Sequence, residues 1–150
     1  MGKGAFRTPV YLFGSTRSGV GKSTLLAQVA VYSHARGART AIIDLNHAFP
    51  LQIRNALPRS LPLEVYADLS EISQQISPRF RRSFYFTNVD RLSYFPGFKI
   101  PGPLALLQDT SYRDFFLQLR GSFDQVFISL PPGIQEFACL EMFASKRYAR

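Results

Sequence analysis

The sequence predicts an α/β fold with a mostly parallel sheet and helices on both of its faces. Residues 10–13, VYLF, form a short apolar run that ends at Gly14, and apolar residues at helical spacing follow in STLLAQVAVYSHA. Residues 40–45, TAIIDL, are apolar without alternation, which is typical of a strand buried on both faces. Strand, helix and strand in this order predict a βαβ unit with a right-handed crossover and parallel strands.

The first helix is expected to have one apolar side and to end at a glycine. Leu25, Leu26, Val29 and Tyr32 lie on one side at helical spacing. Gly37 can adopt the left-handed conformation that caps a helix C-terminus. The second strand would then begin at Thr40 and end at the acid Asp44.

The rest of the chain predicts further helices and strands in alternation. The segment EVYADLSEISQQI, 64–76, is the best helix candidate in a region divided by prolines, and RLSYFP, 91–96, is predicted to be a third strand. SYRDFFLQLRGS, 111–122, is predicted to be a helix that leads into a fourth buried strand in QVFISLPPG. A last helix is predicted in IQEFACLEMFASKRYAR.

Composition fits one domain over residues 1–150 with a real core, since 46% of the residues are hydrophobic. The formal net charge is +8, which suits phosphates, nucleic acid or an acidic membrane as partners, although a basic surface can also be merely solvated. A single cysteine argues against internal disulfides and for a reducing compartment. No apolar run is long enough for a membrane span, so we expect a cytoplasmic protein.

The loop FGSTRSGVGKST, 13–24, contains the residues predicted to bind phosphates. GVGKST has the spacing of a P-loop, in which glycines let the backbone approach phosphates, a lysine contacts the β and γ phosphates, and a hydroxyl binds magnesium. Lys22, Ser23 and Thr24 would take the β/γ phosphates, the metal and the α phosphate. The nucleotide-binding residues are predicted to be Ser18, Gly19, Val20, Gly21, Lys22, Ser23 and Thr24. The full signature has a glycine where this chain has Thr16, and the alternative is an ordinary strand-to-helix turn.

RSGVGKST resembles the deviant Walker A motif, roughly KGGVGKTT, of the MinD/ParA group of P-loop ATPases. AIIDLN resembles the family's strand ending in D-x-D, RLSYFPG an intermediate strand, and FDQVFISLPPG the Walker B strand. The resemblance covers most of residues 9–135. It implies a P-loop NTPase sheet, ATP and Mg²⁺ as cofactors, and a nucleotide-dependent homodimer.

The resemblance also implies roles for individual residues. Arg17 stands where the family has a signature lysine that reaches the nucleotide of the other subunit, unless it is simply an exposed loop arginine. Asp44 matches the first acid of D-x-D and would bind the magnesium shell or the attacking water, unless it is a turn aspartate at a strand end. Catalytic roles thus fall to Asp44, Lys22 and Arg17, and metal binding to Ser23 and Asp44.

Two positions depart from the family pattern. Asn46 replaces the second aspartate of D-x-D, and Ser129 occupies the position of the Walker B acid. An amide cannot accept a proton, and loss of a general base commonly costs about 10²- to 10⁴-fold in rate. We therefore expect nucleotide binding with slow or absent hydrolysis; the alternative is that Asp44 alone supports adequate chemistry.

Three functions are compatible with these features. The first is a spatial or assembly regulator of the MinD/ParA type, with cell division, partition, pilus, secretion or cellulose-synthesis machinery as the setting and a membrane-associated or polar protein as partner. The second is a bacterial tyrosine-kinase-like enzyme, whose tyrosine-rich tail has only Tyr148 as a counterpart here. The third is an interaction module with a relic P-loop.

Two basic segments add weaker expectations. RFRR, 79–82, followed by aromatic residues, could bind nucleic acid, although such a pattern is more often a half-buried strand. The residues 134–150 could form a basic amphipathic anchor at the inner membrane, although a helix after the Walker B strand is the simpler reading. Because family members continue well beyond the Walker B strand, we expect the sheet to be truncated after it.

Overall fold

A computed structural model describes residues 8–46, 52–65, 92–96, 119 and 121–130, except for the side chain of Glu64. These residues form five strands and two helices. In chain order the elements are β1 (Val10–Phe13), α1 (Lys22–Ala35), β2 (Thr40–Asp44), α2 (Gln52–Ala56), β3 (Leu63–Val65), β4 (Leu92–Pro96) and β5 (Gln125–Ser129).

The five strands form one parallel sheet in the order β1-β5-β2-β4-β3, which confirms the predicted fold class. β2 lies at the centre between β5 and β4, and all five of its residues are buried. Ile42, Phe127 and Tyr94 are register partners and face α1, while Ile43 on the opposite face is equally buried. Burial on both faces explains why this strand reads as an unbroken apolar run.

Helix α1 packs on the sheet with Leu26 and Val29, as predicted, but Leu25 and Tyr32 do not belong to its buried side. Its buried residues are Leu26, Ala27, Ala30 and Ser33. Leu25 and Tyr32 point to solvent, with 54% and 62% of their surface exposed. Ala27, Ala30 and Ser33 occupy the other buried positions, so the buried side of α1 is rotated relative to the predicted one.

The predicted end of α1 is confirmed in detail. Gly37 has a φ of 86°, and its amide donates to the carbonyl oxygen of His34 at 2.9 Å. The amide of Ala38 donates to the carbonyl oxygen of Ser33 at 3.2 Å. These two bonds form a Schellman motif, which turns the chain directly into β2.

The middle of the chain differs from the prediction. Residues 63–65 form β3, parallel to β4, so the helix predicted over 64–76 is wrong at its start. The hydrogen bonds of an edge strand outweigh the helical spacing there, and α2 was not predicted. Leu119, Gly121 and Ser122 are helical, as expected for the end of the helix 111–122. Most of that helix, the rest of 64–76, the basic segment 79–82 and the last helix lie outside the described residues.

Candidate phosphate-binding site

The loop between β1 and α1 folds around a cavity of about 320 Å³. Gly19 and Gly21 have φ values of 78° and 88°, a conformation that side-chain-bearing residues rarely adopt. All seven residues predicted to bind the nucleotide line this cavity. The described lining residues are Ser15, Ser18, Gly19, Val20, Gly21, Lys22, Ser23, Thr24, Asn46 and Gln52.

The cavity favours anions. Helix α1 begins at its wall, and the first amides of a helix have no partner within the helix and lie at its positive end. Gly21 caps α1 without a side-chain hydrogen bond, and the first turn contains no acidic residue. Lys22 is the one charged residue among the described lining residues, and its Nζ donates to the carbonyl oxygen of Leu130, just after β5.

The carboxyl ends of three strands meet beside this loop. The register pairs Ser129 with Phe13 on one side and with Asp44 on the other. The amide of Leu45 donates to the carbonyl oxygen of Ser129 at 2.9 Å, which extends the β2–β5 pairing past the strand ends. Asp44 and Ser129, the positions of the D-x-D and Walker B acids, are therefore neighbours, as the sequence resemblance implies.

Asp44 is almost fully buried, with 3% of its surface exposed. Its Oδ1 accepts the amide hydrogen of Asn46 at 3.1 Å, and its Oδ2 accepts the hydroxyl hydrogen of Tyr94 at 3.2 Å. Burial raises the pKa of the carboxyl to about 6, against the opposing effects of these two hydrogen bonds and of the charge on Lys22. Burial, followed by the nearby charge of Asp44, also raises the pKa of Tyr94.

Asn46 and Ser129 place uncharged oxygens where the family pattern has carboxylates. Asn46 is 6% exposed and lines the cavity, and its Oδ1 has no hydrogen-bond partner. Ser129 is 0% exposed, and its Oγ also lacks a partner. Buried polar atoms are normally paired, so these orphaned oxygens mark an unusual site, at which Asn46 and Ser15, whose Oγ is also unpaired, line the cavity and Ser129 does not.

No family model matches the chain, and no curated protein matches it. Solved structures do match. The chain resembles the chimerical protein CapA2B2 with 23% identity and a TM-score of 0.65, and the match covers 91% of this chain and 58% of that one. It resembles the BceF tyrosine kinase domain with 26% identity and a TM-score of 0.64, and this match covers 93% of this chain and 52% of that one. It also resembles a ParA family ATPase from Chlorobium tepidum TLS with 16% identity and a TM-score of 0.55, and the match covers 89% of this chain and 57% of that one.

The chain has the fold of the MinD/ParA-type P-loop proteins. It spans between half and three fifths of the length of these three structures, at 58%, 52% and 57%. The resemblance predicted from RSGVGKST, AIIDLN and FDQVFISLPPG is thereby confirmed at the level of the fold. The roles of individual residues stay predictions.

Phosphates fit the site of this MinD/ParA-type fold well, whereas of the two predicted magnesium ligands Ser23 lines the cavity and Asp44 does not. The glycine backbone, Lys22 and the N-terminus of α1 match an anionic chain. Magnesium is usually held through one or two carboxylates in addition to substrate phosphates. No described residue lining the cavity is acidic, and both carboxylate oxygens of Asp44 already accept protein hydrogen bonds. Nor do the described residues contain any cluster of three or more His, Cys, Asp or Glu that could hold a metal.

Other residues of the site were not predicted, and one predicted residue stands apart. Arg17 is exposed and does not line the cavity, as fits either a contact across a dimer or a solvated arginine. Ser15, Gln52 and Tyr94 were missed. Ser23 Oγ lies 3.4 Å from Gln52 Oε1, a contact that sequence spacing could not suggest. Tyr94 lies on β4, next to the strand that ends at Asp44, and the sheet order that places it there was not predicted.

Proposed function

We propose that this protein binds ATP in the P-loop cavity and hydrolyses it slowly or not at all, acting as a nucleotide-dependent assembly regulator. The observation that carries the proposal is the contrast between the cavity, with Lys22 and its left-handed glycines, and the neighbouring strand ends, where the uncharged Ser129 lies beside Asp44. The fold of a ParA family ATPase supports the choice of nucleotide.

Binding is attributed to the backbone and a few side chains. The amides of Gly19 and Gly21 and those at the start of α1 donate to phosphate oxygens, and Lys22 leaves its contact with Leu130 for the β and γ phosphates. Ser23 and Thr24 supply hydroxyls. A charged hydrogen bond contributes about 1.5–3 kcal/mol, so this set can hold a nucleotide without a carboxylate.

Slow turnover follows from the groups around the attacking water. Phosphoryl transfer depends on an oriented nucleophile and on stabilisation of developing charge. Asn46 can orient a water but cannot take its proton, and Ser129 offers only a hydroxyl. Asp44 could act as a base, but its oxygens are engaged by Asn46 and Tyr94.

The test combines two measurements on the purified chain. Calorimetric titration with ATP should show saturable one-site binding, while steady-state phosphate release should be about 10²-fold or more below that of an ordinary MinD/ParA ATPase measured in parallel. Turnover comparable to that reference would contradict the proposal, and so would the absence of any binding.

The regulatory part of the proposal concerns Arg17 and a second subunit. Its exposed position leaves the guanidinium available for a phosphate bound in a partner copy. Light scattering with and without ATP should show a monomer-to-dimer shift that Arg17→Ala abolishes and Arg59→Ala, another exposed arginine, preserves. We further propose a cytoplasmic location, with peripheral association at the inner membrane as the alternative. The described part of the chain has no helix with the length and hydropathy of a membrane span.

A tyrosine-kinase-like activity is the second candidate. The similarity to the BceF tyrosine kinase domain, at 26% identity over 93% of this chain, favours it. Incubation of the chain with γ-labelled ATP should then place the label on tyrosine. Label on tyrosine that is lost in Lys22→Ala would favour this function over the regulator.

A further inference from the structure

We propose that this site binds nucleotide phosphates directly, without a divalent cation, with the side-chain amide of Asn46 in the place of a carboxylate and its metal. The inference rests on the proposed function, since it concerns how the same cavity holds the same ligand. It starts from the disagreement between magnesium and the residues present.

The described wall of the cavity offers a hard cation hydroxyl and amide oxygens, Ser23 Oγ among them, but no carboxylate. The described lining residues offer backbone, hydroxyl and amide groups together with the cation Lys22. Magnesium loses its waters reluctantly and is normally held through carboxylates. Without one at the wall, affinity for the cation must come almost entirely from the nucleotide itself.

Asp44 is the described carboxylate at the strand ends beside the cavity. Both of its oxygens accept hydrogen bonds from the protein, which opposes metal binding. Releasing Oδ1 or Oδ2 for a metal would leave the amide of Asn46 or the hydroxyl of Tyr94 unpaired in a buried place. A buried donor without an acceptor is unfavourable, so the protein opposes this release. Ser129, in register with Asp44, provides only a buried hydroxyl.

The side-chain amide of Asn46 can contact a phosphate oxygen in place of a metal ion. Its side chain is buried at the cavity wall, and its Oδ1 is bound to nothing. A primary amide presents either an acceptor or two donors, and rotation by 180° exchanges them. Oδ1 is the fully buried atom of this amide and has no partner, so the NH₂ group is the end that can face the cavity without rotation. The NH₂ group can therefore meet a phosphate oxygen at a position where an aspartate would repel it and require a cation between them.

The experiment compares nucleotide affinity with and without magnesium. ATP is titrated into the full-length chain by calorimetry, once with excess Mg²⁺ and once with EDTA. The two dissociation constants should agree within about threefold, or roughly 0.7 kcal/mol. Binding that needs Mg²⁺ by about thirtyfold or more would overturn the inference and leave the proposed function intact. No binding in either buffer would overturn the proposed function, and the inference with it.

A pair of variants tests the role of Asn46. Asn46→Asp should lose at least about tenfold in affinity in EDTA and recover when Mg²⁺ is added, because the new carboxylate repels phosphate until a cation intervenes. Asn55→Asp, the same change at an exposed position of α2, should behave as the wild type in both buffers. Equal affinity of Asn46→Asp in the two buffers would overturn the role given to this amide, and the wild-type comparison stands even if that variant does not fold.

Discussion

The phosphate loop and the strand ends beside it have diverged to different degrees from the pattern of their fold. The loop, residues 14–21, keeps its glycines with positive φ, and it leads into the N-terminus of α1 at Lys22. The strand ends keep the geometry, with Asp44 and Ser129 in register, but have lost two of three acids. The loop therefore keeps the residues expected to bind phosphates, whereas the strand ends lack two of the carboxylates expected to support hydrolysis.

The two regions differ in how strongly their functions depend on the identity of their side chains. A phosphate cradle is built mainly from backbone amides, so it needs small residues and one cation and survives many substitutions. Hydrolysis needs carboxylates at fixed points, and one atom's difference between aspartate and asparagine removes a base. Binding can therefore outlast turnover in the same cavity. Four predictions test this contrast.

The largest effect is expected at the strand ends and concerns pH. The folded-state pKa of Asp44 is about 6 against an ordinary 3.8, so the folded chain binds the proton more tightly than the unfolded chain. The contribution of Asp44 to the free energy of unfolding is greatest below pH 4. It falls by roughly 3 kcal/mol as the pH rises through 6. Urea unfolding from pH 4 to 7 should show this fall, and Asp44→Asn should flatten it.

Asp124 provides the control for this pH dependence, because its behaviour has the opposite sign. Hydrogen bonds from the side chain and backbone of Arg39 lower its pKa, so its contribution is present above pH 4 and is lost on further acidification. Asp124→Asn should therefore leave the slope between pH 4 and 6 unchanged. A flat profile in the wild type would contradict the burial described for Asp44.

The second effect belongs to the loop. Lys22→Ala should weaken ATP binding by about 10- to 100-fold, the value of one charged hydrogen bond. Arg36→Ala, which removes a positive charge from the other end of the α1 region, should bind as the wild type. Titration with a fluorescent ATP analogue separates the two, and equal affinities would mean that the nucleotide does not occupy the cavity.

A smaller effect is expected from the backbone of the loop. Gly21→Ala forces a side chain into a φ of 88°, which costs about 1–2 kcal/mol although nothing lies within 4 Å of the new Cβ. Gly121→Ala meets equally open space without a positive φ and should be neutral. Thermal unfolding should show a loss of a few degrees for Gly21→Ala alone. Similar melting temperatures for both variants would argue against the left-handed loop.

The smallest effect is expected at Ser129. Its hydroxyl is buried without a partner, so Ser129→Ala should change stability by less than about 0.5 kcal/mol and leave phosphate release unchanged. Thr40→Val removes a hydroxyl that donates to the carbonyl oxygen of Ala38 at 3.0 Å and should cost about 1 kcal/mol. Denaturant midpoints compare the two. A marked loss of phosphate release in Ser129→Ala would show that this hydroxyl takes part in turnover.

The sequence predicted β1, β2, β4 and β5 because each is a short apolar run with clear end signals, and it predicted the loop because its spacing is local. It failed where long-range contacts decide the outcome. β3 exists through its pairing with β4, and the buried side of α1 includes Ala27 and Ala30 instead of Leu25 and Tyr32. At the site, the hydrogen bond from Tyr94 to Asp44 joins residues that only the sheet order brings together.

The fate of bound nucleotide tests the contrast between the two regions in one measurement. The chain is mixed with an equimolar amount of ATP, freed of unbound nucleotide, and the bound ATP and ADP are quantified over several hours. We predict that nucleotide stays bound and remains ATP. Conversion to ADP within minutes would show a competent hydrolytic site at Asp44, Asn46 and Ser129, and recovery of no nucleotide would show that the loop is not a working cradle.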